Sequence, residues 1–417
     1  MPDNKKEKPT QAARDNAAQK QTAHGHELRE HALEIFTKSN GLVSVAVVLL
    51  GFLVATILVI AVGRDPGGMY SAILQVVSGL DLRRGTVNVR YIGEWFVASM
   101  PLILCGLSMG FAARTGLFNI GAEGQYAVGI TAAQFVAIYF PPIPVVHWLA
   151  AVLAAIAAGG FWGGIVGYLK ARFKVSEVVA TIMLNYIALY ISRILISMIP
   201  GSNTFRTPNY PETGLLRSPF MEAITNNSRL NYGIFLCLAA IIFYWLVMGK
   251  TRLGFSLRAT GFNKEAARYG GISVNSSITT AMAISGAFAG LAGAIVALGS
   301  FTHGRVLSGF DGYGFDGIAV ALVGNSSALG IGLSGLLFGM LKSAQPLMQS
   351  RQIPREITSI ILGLVVVFIS LRAGVRILVE WQMKEKARKA QAAGTGGSQT
   401  GPAMDVSAKT GEGGKNG

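Results

Sequence analysis

The sequence predicts an all-α, polytopic membrane protein with about ten transmembrane helices, some of them short or broken. Apolar residues make up 51% of its 417 positions and charged residues only 14%, well below the charged share of a typical soluble domain. Apolar runs long enough to cross a membrane recur along the chain. The formal net charge of +15 reflects Lys and Arg between these runs, which the positive-inside bias explains without nucleic-acid binding.

The first part of the chain contains regular apolar runs of about 20 residues, the length that a helix needs to cross the hydrocarbon core. A polar, partly amphipathic stretch at 63–90 follows the first run, and a long polar loop at 200–230 follows the fifth. The predicted spans in this part are 41–62, 91–113, 119–140, 146–169, 178–199 and 231–248.

The second part of the chain is less regular, because glycines interrupt its apolar runs. A full span at 277–298 is followed by a half-length piece at 314–324, a helix at 328–341 and a last span at 356–371. Short segments at membrane depth must contact protein or a water-filled cavity, since lipid cannot satisfy free backbone groups. An even number of crossings places both termini on one side of the membrane.

The distribution of Lys and Arg predicts that this side is cytoplasmic. Basic residues are dense at 170–174, in the loop 250–275 and in the C-terminal tail, whereas fewer lie on the other side, at positions such as Arg90 and Arg351. Both tails are polar or glycine-rich, which is typical of disorder. We expect a disordered cytoplasmic extension at 1–40, a transmembrane domain at 41–375 and a largely disordered cytoplasmic tail at 376–417.

The loop 250–275 is a strongly basic element between two spans, and it contains a helical run flanked by glycines. Its single acidic residue is Glu265. A short, structured and basic element on the cytoplasmic side predicts a docking site for a cytoplasmic partner. The basic residues are Lys250, Arg252, Arg258, Lys264 and Arg268.

No catalytic constellation is visible, so we predict that the chain is not an enzyme. Gly249-Lys250-Thr251 is similar to the end of a phosphate-binding loop, but Tyr244 occupies the position of its first Gly. We therefore expect no nucleotide, metal or other cofactor on this chain. If ATP drives its action, another subunit binds the ATP.

Polar residues inside spans are candidate ligand contacts, because such groups are expensive in the membrane. The stretch 116–125 places Phe118, Asn119, Glu123 and Gln125 at the start of an apolar helix. A glycine-loosened helix end would expose backbone donors to a ligand. Alternatively, the glycines let helices approach closely and Glu123 pairs with a neighbour such as Arg114.

A second candidate site lies at 312–317, where Tyr313, Phe315 and Asp316 stand at the start of a half-helix. Two aromatic rings and a carboxylate suit the stacking of a flat ring and hydrogen bonds to its polar edge. Alternatively, Asp316 satisfies free N–H groups of the helix start. Asn185, in the fifth span, is either an interhelical hydrogen bonder or a cavity residue.

Several stretches of the chain resemble, in the same order, the membrane permease subunit of bacterial ABC importers for simple sugars and nucleosides, the group that includes ribose permeases. The sequence is most similar to the larger of two paired permeases that work with a basic-membrane-protein-type lipoprotein in guanosine and nucleoside importers. The resemblance covers about residues 41–375. Its stretches are 116–125 (GLFNIGAEGQ), 177–188 (EVVATIMLNYIA), 254–272 (GFSLRATGFNKEAARYGGI), 285–293 (SGAFAGLAG) and 312–322 (GYGFDGIAVAL).

The resemblance implies a complex in the bacterial cytoplasmic membrane. A pair of permeases, with a heterodimer favoured, would join cytoplasmic ATPases that bind ATP and Mg, and an extracellular lipoprotein would deliver a nucleoside such as guanosine. Alternating access would then move the substrate across the membrane. In this family the Glu-Ala-Ala loop is the coupling helix that docks on the ATPase. The residues implied here are Arg258, Asn263, Lys264, Glu265, Ala266, Ala267, Arg268 and Gly271.

Other functions remain open at this point. A secondary transporter driven by a proton or sodium gradient would use Glu123 or Asp316 as its coupling carboxylate. An ABC permease for simple sugars or for branched-chain amino acids would share the fold. A channel is disfavoured, because no ring of repeated filter residues is visible.

Overall fold

The computed structural model describes residues 40–82, 85–370, 381 and 385. Residues Ser44–Ser370 form one compact unit. The predicted extension at 1–40 and tail at 376–417 lie almost wholly outside the described residues. The candidate site belongs to the unit Ser44–Ser370.

The described part is helical, with a pair of short two-stranded antiparallel sheets, β1–β2 and β3–β4. The helix Val274–Ile295 continues into a π-helical turn, Val296–Ser300. The elements are α1 Asn40–Ala61, α2 Pro66–Ser78, β1 Leu80–Asp81, β2 Thr86–Val87, α3 Arg90–Arg114, α4 Ala122–Tyr139, α5 Val146–Phe173, α6 Glu177–Ser197, β3 Arg206–Asn209, α7 Pro219–Ile224, α8 Gly233–Lys250, α9 Arg252–Phe262, α10 Lys264–Tyr269, α11 Val274–Ile295, β4 His303–Arg305, α12 Tyr313–Val323, α13 Ala328–Ser350 and α14 Arg355–Ser370.

Five of these helices, α3, α5, α6, α8 and α11 with its π turn, are long and apolar enough to cross a membrane. Their bounds agree with the predicted spans to within a few residues. The protein is therefore a polytopic membrane protein. The boundaries differ most in α13, which continues through Pro346 to Ser350, whereas the apolar run predicted an end at 341. The apolar run stops at 341 because Lys342 follows. The helix continues past Lys342 because the charge of this residue is paired with Asp316 inside the protein.

Helices α3 and α11 are mostly buried, whereas much of α5, α6 and α8 is exposed. Helix α11 packs against α5 so closely that only glycine fits. A Cβ on Gly286 would lie 2.2 Å from the carbonyl oxygen of Gly159, and one on Gly290 would lie 2.2 Å from that of Ala155. Without a hydrophobic driving force in lipid, such close backbone packing is what holds membrane helices together.

Contacts between loops define two ends of the bundle. The basic end contains the loop 250–275 and the end of α3, because Gly261 lies against Gly116. The sheet end contains β3–β4 and the loop 200–230, which is folded rather than irregular: it holds β3, a 3-10 turn and α7. His147 at the start of α5 contacts Thr213 there, with 2.9 Å between its Nδ1 and Oγ1.

Candidate functional site

Two broken helices meet inside the bundle. After α3 ends at the basic end, residues 116–121 run back without helical structure and α4 starts only at Ala122. Helix α12 likewise starts inside the protein, where Gly317 packs against Cys105 in the buried helix α3. The prediction that short elements lie at membrane depth against protein agrees with this arrangement.

The Glu123 carboxylate joins the two broken helices. Its oxygens accept hydrogen bonds from the backbone N–H groups of Gly312, at 2.7 Å, and Gly314, at 2.6 Å. A negative charge at this position also complements the helix dipole of α12. A side chain at position 314 has no space, since its Cβ would lie 2.3 Å from the Glu123 nitrogen. Glu123 is thus a cap for α12.

The alternative pairing of Glu123 with Arg114 is wrong. Arg114 lies at the end of α3 and donates to the carbonyl oxygen of Ser326, at 2.8 Å. That carbonyl also accepts from the Tyr244 hydroxyl, at 2.7 Å. The two residues are close in sequence, but the reversal at 116–121 carries Glu123 away from the basic end.

Buried amides hold the non-helical segment 116–121. Asn119 Nδ2 donates to Ser285 Oγ at 2.7 Å and to Gln125 Oε1 at 2.8 Å, while its Oδ1 accepts from the Gly121 N–H at 3.0 Å. Asn185 on α6 accepts from the Gly124 N–H at 2.8 Å and donates to the Ile120 carbonyl at 3.0 Å. These bonds replace the helical hydrogen bonds that the segment lacks, which lipid could not do.

A polar cavity of about 500 Å³ lies at the sheet end. Two ion pairs belong to its lining: Arg229 Nη2 is 2.6 Å from Glu94 Oε2, and Arg305 Nη2 is 2.5 Å from Asp311 Oδ2. Lys342 also lines it and reaches Asp316, with 2.7 Å between Nζ and Oδ2. A charge on a helix inside the bundle, such as that of Lys342, is rare unless it is paired or serves a pathway.

Two of the cations in the cavity lining lie over aromatic rings. Lys342 Nζ lies 4.2 Å from the centre of the Tyr313 ring, and the Arg305 guanidinium lies 4.5 Å from that of Phe301. Behind Tyr313, the buried Tyr126 donates from its hydroxyl to Asp311 Oδ2 at 2.7 Å. The cavity therefore offers ring faces together with hydrogen-bond donors and acceptors, the combination that orients a flat polar ligand.

The guanidinium groups outside the spanning helices keep their charge. The hydrogen bonds that Arg229 donates to the Glu94 carboxylate raise the pKa of Arg229 above its usual value. Burial alone would lower the pKa of Arg305. The hydrogen bond that Arg305 donates to Asp311 and the attraction between the two charges outweigh burial, so the pKa of Arg305 is raised. Arg229 and Arg305 therefore stay positively charged at neutral pH.

The residues predicted to bind a ligand occupy different environments. Only Tyr313 lines the cavity, and Asp316 is linked to it through Lys342. Phe118 and Phe315 are exposed on the surface. The four others, which are buried in the polar contacts between helices, are Asn119, Glu123, Gln125 and Asn185.

The sequence reasoning missed Glu94 and Lys342, although each interrupts an apolar run and the cost of a membrane charge would have identified both. Arg229, Arg305 and Asp311 lie in loops, where charged residues are ordinary. Only the fold of the loops 200–230 and 301–312 over the cavity reveals them.

At the basic end, the loop 250–275 forms two short helices. Asn263 separates them and caps α10, because its Oδ1 accepts from the N–H groups of Glu265 and Ala266, both at 3.0 Å. Gly271 ends the loop with a φ of 80°, a left-handed conformation that favours glycine. At position 261, a Cβ would lie 2.5 Å from the Arg114 carbonyl oxygen.

Most of the predicted docking residues face outward. Ala267 is buried, and Arg258 is half-buried and donates to the carbonyl oxygen of Met248 within its own chain. Aromatic residues that the prediction did not include flank α10, and the exposed fractions of Phe262 and Tyr269 are 91% and 93%. The exposed predicted residues are Asn263, Lys264, Glu265, Ala266, Arg268 and Gly271.

Broken helices that meet at membrane depth, a polar cavity at one end and an exposed helical loop at the other define a membrane transport protein. Comparison with known proteins identifies the family. Residues 91–370 match the family described as branched-chain amino acid transport system / permease component, and the chain belongs to this family. It is a multi-pass protein of the bacterial cell membrane. No solved structure matches the chain.

Curated relatives cover most of the chain. It is 42% identical over 342 residues to the guanosine ABC transporter permease protein NupP of Bacillus subtilis. The alignment covers 82% of this chain and 96% of NupP. It is 34% identical over 359 residues to the nucleoside ABC transporter permease protein NupB of Lactococcus lactis. This alignment covers 84% of this chain and 96% of NupB. A second guanosine permease of Bacillus subtilis, NupQ, is 29% identical over 260 residues, or 59% of this chain and 79% of NupQ.

Proposed function

We propose that the chain is one permease subunit of an ATP-driven ABC importer of nucleosides, in particular purine nucleosides such as guanosine. The observation that carries this proposal is the similarity to NupP and NupB, which extends over 96% of the length of each. The chain itself moves the substrate by alternating access, and the chemistry of ATP hydrolysis belongs to another subunit.

The cavity at the sheet end suits a nucleoside. Tyr313 and Phe301 present ring faces that can stack on a purine base. The carboxylates of Glu94 and Asp311 accept hydrogen bonds from ribose hydroxyls or base N–H groups, and Lys342 donates to a base carbonyl. Each of these three charged groups already has an ion-pair partner, so none of them depends on the substrate to balance its charge.

A second permease completes the pathway. Bacillus subtilis has two guanosine permeases, and this chain is more similar to NupP than to NupQ. We therefore place it in the NupP position of a heterodimer. The surface for that partner comes from helices such as α6 and α8, whose apolar faces are largely exposed.

The loop 250–275 receives the energy input. Helix α10 docks in a cleft of a cytoplasmic ATPase, which binds ATP and Mg, and Phe262 and Tyr269 add apolar contacts on either side of it. The loop has a rigid route to the pathway, because Gly261 packs against the end of α3. The segment 116–121 starts there and leads to Glu123 and the start of α12.

The sheet end receives the substrate from an extracellular lipoprotein. The loop 200–230 and β4 close over one side of the cavity, and Phe205 and Phe220 are exposed on it. Exposed aromatic residues on a folded loop are typical of a protein contact. Both termini then lie in the cytoplasm, on the side of α10.

The deciding experiment is uptake of labelled guanosine by cells or proteoliposomes that contain the chain with its second permease, ATPase and lipoprotein. We expect uptake that requires ATP and persists when ion gradients are collapsed, and that unlabelled nucleosides suppress more than glucose or leucine does. Uptake that needs the gradient but not ATP would contradict the proposal and favour a secondary transporter. Suppression by leucine alone would favour an amino-acid permease.

A further inference from the structure

A series of three aromatic rings, of which the two outer ones are exposed, lies beside the two broken helices, outside the cavity. The Phe310 ring is central: its centre is 5.2 Å from that of Tyr186 on α6 and 5.7 Å from that of Phe315 on α12, both in edge-to-face contact. Tyr186 is 52% exposed and Phe315 is 40% exposed. We call these residues, Tyr186, Phe310 and Phe315, the aromatic ladder.

The ladder lies at membrane depth. Tyr186 stands about 14 Å along α6 from Glu177, near the middle of this 21-residue helix. Phe315 is in the first turn of α12, two residues before Gly317, which packs against Cys105 inside the spanning helix α3. Neither ring is therefore in the interfacial zone where membrane proteins usually expose tyrosine.

The surface around the ladder does not suit lipid. Asp316, next to Phe315, has a side chain that is 36% exposed, and its partner Lys342 is 26% exposed. Charged groups exposed to hydrocarbon are strongly unfavourable, so water or protein covers this surface. The start of α12 thus carries a partly exposed ion pair next in sequence to the ladder, and a charge at this depth indicates a solute pathway rather than a lipid contact.

The ladder continues from the cavity. Phe310 directly precedes Asp311, and Tyr313 and Lys342 line the cavity, so the loop and helix that carry the ladder also form the cavity wall. The Tyr313 ring stands on the cavity side of this wall, and the buried Tyr126 ring packs behind it with the two centres 5.7 Å apart. Ring faces are thus available on both sides of the start of α12.

We propose that the aromatic ladder is a transit site on which the flat base of the substrate stacks after it leaves the cavity. The Asp316–Lys342 pair beside it offers an acceptor and a donor to the polar edge of the base. Stacking on a series of aromatic rings is tolerant of the identity of the base and of its position. A heteroaromatic solute can bind to such a site at several positions, and none of these positions binds it so tightly that transport stops. This proposal rests on the proposed nucleoside import.

The test measures guanosine uptake by the complete importer with Phe310→Leu and Phe315→Leu, and with the aromatic-conserving Phe310→Tyr and Phe315→Tyr. The control is Phe161→Leu, since Phe161 is 71% exposed on α5. We expect the Leu variants of the ladder to lower the maximal uptake rate on the order of tenfold, because leucine is apolar but cannot stack. The Tyr variants and the control should stay within about twofold of the wild type.

Co-purification with the second permease separates transit from simple packing, and we expect it to be unchanged in all variants. Ladder variants with leucine that transport like the wild type would overturn the proposal. So would equal losses in the Leu and Tyr variants together with loss of the second permease, because this pattern indicates interface packing. Absence of ATP-dependent guanosine uptake in the wild type would overturn the proposed function as well, whereas the other results affect the ladder alone.

Discussion

At the scale of single residues, Glu123 shows how a buried carboxylate can serve the fold. Its oxygens accept the N–H groups of Gly312 and Gly314, which would otherwise be unpaired at the start of α12. A coupling carboxylate of a secondary transporter must gain and lose a proton during each cycle. Glu123 is instead committed to a helix start, which favours the ATP-driven proposal.

The first prediction tests this role with Glu123→Gln. Glutamine keeps the shape but loses the charge and can accept with only one oxygen, so we expect the free energy of unfolding to fall by about 2 kcal/mol. Thermal unfolding in detergent measures the effect. Glu212→Gln is the control, because Glu212 is exposed. Unchanged stability with complete loss of uptake would contradict the capping role and indicate a chemical one.

The second prediction concerns the Lys342–Asp316 pair. Lys342→Met leaves Asp316 unpaired and Asp316→Asn leaves Lys342 unpaired, so each alone should lower stability by about 2 kcal/mol. The double variant should lose less than the sum, because neither charge is then isolated. Thermal unfolding of the three variants measures the coupling. Strictly additive losses would show that the ion pair does not contribute.

At the scale of elements, regular helices were predictable and broken ones were predictable only in part. The bounds of α3 and α8 follow from continuous apolar runs, which hydropathy detects. The start of α4 did not follow, because the apolar run that begins at 119 does not show where its helix starts, and hydrogen bonds of the Asn119 and Asn185 amides hold residues 119–121 in another conformation. The cavity was missed for a similar reason, since Arg229 and Arg305 approach it through loop folding.

The third prediction tests the contact between the broken helices with Gly314→Ala. The added Cβ would lie 2.3 Å from the Glu123 nitrogen, so α4 and α12 must separate and both stability and uptake should fall. Gly309→Ala is a matched control, because nothing lies within 4 Å of a Cβ at that position. We expect this control to transport like the wild type. Equal behaviour of the two variants would contradict the assigned close contact.

The fourth prediction tests α10 as the docking helix. Glu265→Lys with Ala266→Trp should abolish co-purification of the ATPase and guanosine uptake, since both residues are exposed and a cleft that fits a small helix excludes the added bulk and charge. Tyr269→Ala should weaken co-purification at least severalfold, as expected for an exposed aromatic anchor. The control is Phe173→Ala, which is 62% exposed on α5. Membrane insertion should be normal in each case, and normal uptake by the double variant would refute the docking role.

At the scale of the whole molecule, the proposed docking site for the ATPase and the proposed substrate site are separate. The loop 250–275 is at the basic end and the cavity is at the sheet end, with the segment 116–121 and the start of α12 between them. An input at α10 therefore has a packed route to the cavity wall: from Gly261 to the end of α3, then through Asn119 to Glu123 and Gly314. Rigid elements in contact along this route can move together between two arrangements.

The last prediction concerns assembly. Tyr186 and Phe315 of the ladder and much of α6 and α8 are exposed in the single chain, and a pathway with one open side cannot shield a polar solute from lipid. We therefore expect the chain alone to insert into the membrane without guanosine uptake. Co-expression with the second permease should yield the two chains in a 1:1 ratio and restore uptake when the ATPase and lipoprotein are also present. Native mass spectrometry measures the ratio. A homodimer of this chain that transports guanosine with the ATPase and lipoprotein would refute the heterodimer, because it would show that two copies of the same ladder close the pathway.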